Sequence, residues 1–517
     1  MRRLSPSGAV RLAVGLGAWL LAPAVRAQTP GFPIVSSFST SAIHADARSW
    51  VTVQDAQGVL YFGCDGLASY DGERWIPTPL HDAYALRGLD FGRDGRLWFA
   101  ATGDVGWFER TAGSRWKAHS LRESLPHAGE DMGEAWHVFA EDNGAVFVGT
   151  DKVARWDGKS FRFWPLPGAR RLTAMRAAGR IYVHHQPTGL YVMGSGGPKL
   201  IIPAAIFDGA FVLWMEPRDH GWLFATSKGL FVFEKGVLTP FAPAVSEYIQ
   251  RSALTSATRL PDGRLALGTY RGGIALAARD GTLERILTDN DGLPTRAIFS
   301  VFVDRDGSLW ATSPSHIFRI AVSSPSVLFD RRAGLPNLPV LKLVRDDQGV
   351  MVATDRGVYR LRPDGRKFSP VEKLNERLMD LRPTADGLLA ANFSEVKRVA
   401  HGQVTKLYSS DQSPFVAQPS RRWPGSILLS VGRTVVLLGP DGHARTLAED
   451  LPDIATSLAE GEAGELWLGT LARGILLCRP RDDGLSEATS AAGTPQAWLA
   501  AWTSMVRAVA PRRWKFS

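Results

Sequence analysis

The sequence contains only two cysteines, Cys64 and Cys478, which lie near opposite ends of the chain in apolar segments. A disulfide framework is therefore excluded, and neither cysteine has a partner at a metal-ligand spacing such as Cys-x-x-Cys. Two separate buried thiols are the predicted state. A single bridge between them is the alternative that an oxidising compartment would permit.

Beyond its N-terminal region the chain lacks an apolar run of roughly 18 residues, which a membrane-spanning helix would need. Residues 1–27 differ from the rest. Arg2 and Arg3 precede an apolar stretch, and the small residues Val25 and Ala27 stand at the −3 and −1 positions of a suitable cleavage point. This pattern predicts a secretory signal peptide and a mature chain on the far side of a membrane, with an uncleaved N-terminal anchor as the alternative.

Positive charge is not concentrated anywhere, although the formal net charge is +9. Lysine and arginine are scattered, and they form no run of five or more basic residues. Recognition of a nucleic acid usually requires a basic patch that neutralises several phosphates. We therefore do not expect a nucleic-acid partner, and an ordinary basic surface is the simplest interpretation of the charge.

Enzyme motifs are missing as well. The sequence has no Gly-x-Ser-x-Gly elbow and no P-loop, and its Asp–Gly turns do not fit the Ser-x-Asp-x-Gly-x-x-Trp frame of sialidases. The one adjacent histidine pair, His184 and His185, would point to opposite faces of a strand, which does not suit a shared metal ion. We expect no catalytic residue, no metal and no cofactor. An exported hydrolase or lyase acting on carbohydrate stays open as the alternative.

Glycine, tryptophan and phenylalanine are abundant, with 52, 17 and 24 residues, which favours short aromatic-rich strands separated by turns. The phrase DGSLWAT at Asp306–Thr312 recurs as DGRLWFAAT, DGRLALGT and GELWLGT, starting at Asp94, Asp262 and Gly464. Aspartate and glycine suit a tight turn, and the following apolar residues begin a strand. Copies of this turn and strand recur with a period of about 41 residues. The aligned first apolar residues are Leu60, Leu97, Val146, Ile181, Leu223, Leu265, Leu309, Val350, Leu388, Leu428 and Leu466.

This period is typical of β-propeller blades, which stack radially because one small sheet cannot bury both of its faces alone. Eleven units exceed the usual four to eight blades of one ring. We therefore predict an all-β protein with a seven-bladed β-propeller over residues 28–325 and an incomplete second propeller over 326–480. A strand in the segment GFPIVSSFSTSAI should pair into the seventh blade. Residues 481–517 are an atypical tail with the pattern of an amphipathic helix, and a solenoid is the structural alternative.

The stretch TDNDGLPTRAIFSVFVDRDGSLWATSPSHIFRI resembles the repeat of two-component regulator propellers, in which D-G-L-P precedes a strand, a D-x-x-G turn and L-W-I-G-T. The matching residues are Gly292, Leu293, Pro294, Asp304, Gly307, Leu309, Trp310 and Thr312. The next unit keeps the spacing, because Gly334 and Gly349 are as far apart as Gly292 and Gly307. Units around Ile181 and Leu428 keep only the strand pattern.

The resemblance implies a periplasmic sensor region, which in that family is followed by a membrane span and an output module such as a histidine kinase or diguanylate cyclase. The chain has no kinase nucleotide-binding motif and no G-G-D-E-F-like string, so we expect a ligand-sensing module without its output domain. A small molecule or glycan is the expected ligand. A homodimer through the sensor region and a protein-interaction scaffold are alternatives that stay open.

A basic residue follows the second strand of five units. These residues are Lys152, Lys228, Arg271, Arg356 and Arg473. Equivalent loops of successive blades lie at the same end of a ring, so these side chains are candidates for attracting an anionic ligand. The simpler interpretation is a set of ordinary solvated hairpin loops, where lysine and arginine are common.

Overall fold

The computed structural model describes residues 31–43, 48–80, 85–111, 116–125, 132–168, 170–461, 464–481, 484–485 and 489–490. These residues form eleven four-stranded antiparallel sheets and one two-stranded sheet. Within this part of the chain the single α-helix is α1 (Pro243–Ser252), and no helix has the length and apolar character to cross a membrane. The predicted signal peptide and the amphipathic pattern after residue 490 lie outside the described residues.

Seven sheets make up the first ring, and we call them blades 1 to 7 in chain order. The first three blades contain β2 (Val51–Gln54), β3 (Leu60–Gly63), β4 (Gly66–Tyr70) and β5 (Trp75–Pro79) in blade 1; β6 (Leu86–Phe91), β7 (Leu97–Ala101), β8 (Asp104–Arg110) and β9 (Trp116–Ser120) in blade 2; and β10 (His137–Glu141), β11 (Gly144–Val148), β12 (Lys152–Trp156) and β13 (Phe161–Pro165) in blade 3. The next three contain β14 (Thr173–Ala177), β15 (Arg180–His185), β16 (Gly189–Gly194) and β17 (Gly197–Pro203) in blade 4; β18 (Val212–Arg218), β19 (Gly221–Thr226), β20 (Gly229–Glu234) and β21 (Val237–Phe241) in blade 5; and β22 (Leu254–Arg259), β23 (Leu265–Thr269), β24 (Gly273–Ala277) and β25 (Leu283–Leu287) in blade 6. Blade 7 combines the N-terminal strand β1 (Val35–Ser39) with β26 (Ser300–Val303), β27 (Leu309–Thr312) and β28 (His316–Ile320).

The first ring is closed by the N-terminal strand, as the sequence predicted. Strand β1 pairs antiparallel with β28, and Val35 lies opposite Ile320. The first strands of the seven blades are innermost and contact one another in order, with a contact between β26 and β2 completing the circle. The chain is therefore an all-β propeller protein with one closed seven-bladed ring. Joining distant parts of the chain in one sheet gives β28 a partner strand and makes β1 the outer strand of that blade.

The recurring aspartate–glycine phrase, together with the aspartate that stands two residues before it, has a physical explanation in blade 7. The carboxylate of Asp304 accepts a hydrogen bond from the backbone N–H of Ser308 at 2.8 Å and another from the indole N–H of Trp310 at 2.7 Å. Gly307 has a φ of 79°, a left-handed conformation that favours glycine. The phrase thus fixes a hairpin and directs a tryptophan into the layer between blades.

The hydrophobic core is divided into layers between neighbouring blades. At the closing seam Phe62 of blade 1 packs with Trp310 and Ile317 of blade 7, and all three are almost fully buried. Cys64 belongs to this layer, and Cys478 lies in a layer of the second set of sheets. Both cysteines are free and buried, as predicted. Burial raises the pKa of the Cys64 thiol to about 12 and that of Cys478 to about 11, so neither is poised to react.

Four more sheets follow and form an incomplete second propeller. Their strands are β29 (Val340–Asp346), β30 (Gly349–Thr354), β31 (Gly357–Leu361) and β32 (Phe368–Pro370); β33 (Asp380–Thr384), β34 (Gly387–Ala391), β35 (Glu395–Ala400) and β36 (Gln403–Ser409); β37 (Pro414–Pro419), β38 (Ile427–Val431), β39 (Thr434–Leu438) and β40 (Ala444–Ala448); and β41 (Ala455–Glu460), β42 (Leu466–Thr470), β43 (Ile475–Cys478) and β46 (Thr489–Ser490), with β44 (Pro480–Arg481) and β45 (Gly484–Leu485) forming the two-stranded sheet.

The innermost strands of this set contact one another from β29 through β33 and β37 to β41. Among the described residues no comparably extensive contact joins β41 back to β29. Val340 and Leu343 on β29 are accordingly 58% and 67% exposed. An incomplete ring predicts an unpaired strand edge in its last sheet, near Leu466–Leu477. Strand β46, which lies beyond the predicted boundary at residue 480, instead pairs with Leu476 and Leu477.

The segment before β1 joins the closed ring to the second set of sheets. Phe32 is 4% exposed and packs in a small core with Ala333, Val352 and Phe368. The backbone N–H of Gly31 donates to the carbonyl of Gly365 at 2.8 Å. The strand that closes the first ring is therefore anchored in the core of the second set.

Candidate functional site

One end of the first ring is organised by backbone hydrogen bonds between successive blades. The N–H of Leu86, at the start of the innermost strand of blade 2, donates to the carbonyl of Cys64, just after the second strand of blade 1. Leu172 and Ile298 make the same kind of bond to Thr150 and Thr269. The starts of the innermost strands and the hairpins after the second strands thus share one end of the ring.

Aromatic and charged side chains gather at this end, where the innermost strands begin around the ring axis. We call this set the mouth cluster. It consists of Trp50, Arg87, Glu134, Trp136, His137, Arg171, Tyr270 and Phe299.

Arg87 occupies the middle of the mouth cluster. Its guanidinium carbon lies 4.0 Å from the ring centre of Trp50 and 4.4 Å from that of Trp136, which come from the two flanking blades. The two indoles meet edge to face, with ring centres 6.4 Å apart. A cation between two aromatic faces is stabilised by their quadrupoles, and the benefit grows as water is removed.

The charge of Arg87 is nevertheless incompletely satisfied. Its side chain is 13% exposed, and its one ion pair among the described residues joins Nη2 to Glu134 at 3.5 Å. The Nε and Nη1 atoms are buried and have no hydrogen-bond partner in the described structure. Burial lowers the pKa of Arg87; Glu134 opposes this shift, while Arg171 and Arg48 add to it. A buried N–H without an acceptor costs about 1–3 kcal/mol, so an arriving anion would relieve an existing penalty.

Positive charge dominates the surroundings of Arg87. The Arg171 guanidinium lies 4.9 Å from the ring centre of Trp136. Burial, together with the positive charge of Arg171, lowers the pKa of His137 to about 4, which keeps this imidazole neutral near pH 7. The indole N–H of Trp136 is a further buried donor with no acceptor among the described residues. The mouth therefore offers donors and positive charge, and it lacks acceptors to match them.

A ladder of stacked aromatic side chains extends from Arg87 towards the solvent-exposed surface of the propeller. Trp50 stacks on Phe299 with ring centres 4.3 Å apart and an interplanar angle of 2°. Phe299 is parallel to Tyr270 within 6°, at 6.2 Å. Tyr270 is 50% exposed and forms the open end of the ladder.

The five basic residues predicted from the sequence all lie at or next to the hairpin between the second and third strands of their sheets. Arg271 is next to the mouth cluster in the chain, since it directly follows Tyr270. Lys228 is bound to Asp208, with Nζ 2.7 Å from the carboxylate, and Lys152 lies 3.9 Å from Asp151. The charges of these two lysines are partly neutralised, so the hairpins do not form a uniform circle of positive charge.

Arg356 and Arg473 belong to the second set of sheets and do not join the mouth of the closed ring. Their backbone N–H groups bond to Thr354 and Asp453 respectively, as in ordinary hairpin turns. Whether any of the five basic side chains binds a ligand remains a prediction.

None of the residues of the mouth cluster was predicted from the sequence. Trp50, Trp136 and Phe299 each directly precede an innermost strand, which is a usable positional signal. The residue type at this position differs from blade to blade, however, because each blade contributes a different side chain to a single mouth. A periodic sequence pattern therefore identifies the residues that pack between blades, but it does not identify the residues of the mouth cluster.

The adjacent histidines are both buried and take different partners. The Nδ1 atom of His184 accepts from the N–H of Val212 at 3.5 Å, whereas His185 contacts the hydroxyl of Thr188 at 2.6 Å and the carbonyl of Pro167. In the described part of the chain no three His, Cys, Asp or Glu side chains are grouped so as to hold a metal ion. Both histidines thus form hydrogen bonds within the protein that stabilise blade 4 and its connections.

His184 should make the stability of the protein depend on pH. Burial lowers its pKa to about 4, with His185 as a lesser cause, so the folded state resists a proton that the unfolded state binds below about pH 6.5. Stability should thus fall as pH drops through this window and level off below about pH 4. We expect a loss of about 2 kcal/mol from this residue between pH 7.5 and pH 5.

Urea unfolding at both pH values tests this expectation. His184→Gln should remove that part of the pH dependence, whatever it does to the absolute stability. His220→Gln, at an exposed turn position, is the matched control and should leave the dependence unchanged. An unaltered pH dependence in His184→Gln would contradict the assignment.

The fold is similar to that of known propellers. The extracellular domain assigned to a hybrid two-component system of B. thetaiotaomicron matches with a TM-score of 0.59 and 16% identity, over 86% of this chain and 64% of that one. The chain thus spans somewhat less than two thirds of that domain. A second extracellular domain of B. thetaiotaomicron, assigned to a one-component system, has a TM-score of 0.44 and 14% identity over 89% of this chain and 67% of that one.

A streptogramin B lyase structure matches 56% of this chain and 97% of its own, with a TM-score of 0.44 and 14% identity. No family model matches the sequence, and no curated protein matches it either. The likeness with a TM-score of 0.59 supports the propeller fold, and at 16% identity the function has to be argued from the site.

Proposed function

We propose that this chain is an exported, non-catalytic ligand-sensing propeller module that binds a small anionic molecule at the mouth of its seven-bladed ring. The sensor role is supported by the resemblance of its repeats to two-component regulator propellers. Its fold is shared with an extracellular domain assigned to such a system. Export is supported by the signal-peptide pattern of residues 1–27.

The observation that carries the ligand assignment is the incompletely paired Arg87. A cation that is 13% exposed, has two N–H groups without acceptors and stands near two other arginines is costly to the free protein. An anion at the mouth would offset this repulsion, and it would supply the missing acceptors where it reaches Arg87. Buried groups that are unsatisfied in the free protein are where binding free energy is most easily gained.

Arg87→Met separates a binding role from a packing role. Methionine keeps an apolar body between the two indoles and removes the charge, and such replacements of buried charges are often neutral or stabilising. We expect affinity for an anionic ligand to fall about 100-fold, in line with the loss of a charge-assisted pair, while the melting temperature stays equal or rises.

The measurement starts from a thermal-shift screen of small anions, sugars and sugar acids with the purified chain, followed by calorimetric titration of each hit. Product analysis by mass spectrometry on every hit checks for turnover, which would overturn the non-catalytic assignment. Arg356→Met, in the second set of sheets, is the control and should bind as the parent does. Binding that is indifferent to Arg87→Met would place the ligand elsewhere.

A further inference from the structure

The turn formed by Tyr270, Arg271 and Gly272 is fixed by hydrogen bonds to its surroundings. The backbone N–H of Tyr270 donates to the carbonyl of Ala253 at 2.8 Å, and that of Arg271 donates to the carbonyl of Ser252 at 3.0 Å. The N–H of Gly272 donates to the hydroxyl of Thr269 at 3.1 Å. Every N–H of this three-residue turn is therefore engaged, which fixes the direction of the two large side chains it carries.

Helix α1 braces the same turn from behind. A Cβ atom at Gly272 would lie 2.5 Å from the hydroxyl oxygens of both Ser252 and Tyr248, which are on α1. Only glycine allows so close an approach. Tyr248 and Ile249 of α1 are buried in the layer between blades 5 and 6. The turn is thus supported by a packed helix, as a preorganised recognition element should be.

The turn presents an aromatic face and a cation side by side. Tyr270 is the half-exposed end of the ladder formed with Phe299 and Trp50, so a further planar ring can extend the stack. Arg271 is exposed, and its guanidinium has no hydrogen bond or ion pair with the described residues. Stacking favours a planar π system, and the guanidinium favours a carboxylate.

Hydroxyl groups near the turn are already committed within the protein. Thr269 donates to the carbonyl of Gly273 at 2.9 Å, and its oxygen also serves Gly272 and Tyr248. The hydroxyl of Thr255 faces the carbonyls of Gly268 and Ile298. These two threonine hydroxyls are therefore not available to the hydroxyl groups of a sugar. This disfavours a carbohydrate and favours a ligand with one charged group and one flat face.

From these contacts we infer that the Tyr270–Arg271 turn binds an aromatic carboxylate, whose ring stacks on Tyr270 and whose carboxylate pairs with Arg271. The inference rests on the proposed function, because it names the chemical class of an anion drawn to the positively charged mouth. It places the direct ion pair of that anion at Arg271, beyond the ladder of Trp50, Phe299 and Tyr270 that separates this turn from Arg87. The positive charge around Arg87 adds to the attraction from a distance.

Four matched probes test the inference on the full chain by calorimetric titration. Phenylacetate has both features, cyclohexylacetate lacks the flat ring, 2-phenylethanol lacks the charge, and galacturonate is a sugar acid. We expect phenylacetate to bind at least tenfold more tightly than each of the others. Its affinity should also fall as salt rises.

Two variants assign the features to residues. Tyr270→Leu should bring phenylacetate and cyclohexylacetate to equal affinity, because the flat face is lost. Arg271→Gln should weaken phenylacetate about tenfold and leave 2-phenylethanol unchanged. Arg356→Gln, in the equivalent hairpin of the second set, is the control for charge alone and should have no effect. Circular dichroism and the melting temperature check that each variant is folded.

Equal binding of cyclohexylacetate or galacturonate by the parent chain would overturn the aromatic-carboxylate inference. The proposed function would survive that result if the bound anion were still sensitive to Arg87→Met. If no anion bound and nothing depended on Arg87, the proposed function itself would fall. Phenylacetate binding that ignores both Tyr270→Leu and Arg271→Gln would move the site away from this turn.

Discussion

Replacing Asp291 by asparagine should destabilise the protein by about 3 kcal/mol and separate the melting of the two sets of sheets. The carboxylate of Asp291 is 5% exposed and bonds to Arg285 at 2.9 Å and to Arg366 at 2.6 Å. Arg285 belongs to blade 6, and Arg366 precedes the outer strand of the first sheet of the second set. Asparagine would remove the negative charge that the two arginines share. Its amide N–H group would also face a guanidinium, which has only donors.

The junction around Asp291 has few other polar ties. Arg285 also donates to the carbonyl of Gly31 at 3.1 Å, and Arg366 and Arg332 lie over the ring of Phe32. Loss of the shared carboxylate therefore removes the counter-charge of both Arg285 and Arg366, whereas Arg332 keeps its own ion pair with Asp330. We expect one cooperative calorimetric transition in the parent chain and two in the variant.

Asp289→Asn is the matched control for Asp291→Asn. Asp289 and Asp291 are the first and last residues of a one-turn 3₁₀ helix, Asp289–Asp291. Asp289 is 55% exposed and pairs with Arg296 at the surface. Its replacement should change stability by less than about 1 kcal/mol, as exposed ion pairs do. A single transition with parental stability in Asp291→Asn would show that the carboxylate does not join the two sets.

Phe38→Ala should destabilise the closed ring by about 3 kcal/mol, because this side chain packs in the seam where the ring closes. Its ring centre lies 5.1 Å from Trp75, 5.4 Å from Tyr70 and 6.2 Å from Trp310. Strand β1 carries Phe38 and has no other partner strand in its sheet than β28. Removing the ring leaves a cavity among three aromatic side chains and loosens the strand from blade 1.

Chemical unfolding followed by tryptophan fluorescence measures this effect, since Trp75 and Trp310 report on the seam. Ile76→Ala is the control, because Ile76 is 55% exposed on the outer strand of blade 1. It should cost less than about 0.5 kcal/mol. Equal losses for the two variants would mean that the seam is no more important than the outer surface.

The repeating phrase was sufficient to predict the propeller because it encodes local geometry. Asp304 holds a turn, Gly307 takes a left-handed conformation and Trp310 enters the layer between blades, and each of these depends on residues a few positions apart. The resemblance motif has a similar basis. Gly292 ends a one-turn helix with a φ of 101°, and Leu293 is buried. Local rules of this kind repeat along the chain and can be recognised in it.

The assignment of the basic hairpins shows where such rules end. The sequence correctly predicted that Lys228 and Arg271 occupy equivalent turns. It could not show that Lys228 meets Asp208, which belongs to the connection that leads into the same blade. Two equivalent positions thus differ in effective charge because their neighbours come from non-repeating connections.

The sequence by itself determined the blades, their number and the strand that closes the first ring, since hairpin turns and strand alternation are set by near neighbours. Only the tertiary structure decided which side chains meet at the ring axis. Trp50, Arg87 and Trp136 come from three consecutive blades and share no motif, yet ring closure places one guanidinium between two indoles. A ring has a single axis, so each blade contributes its own side chain there, and no period in the sequence marks the place where they converge.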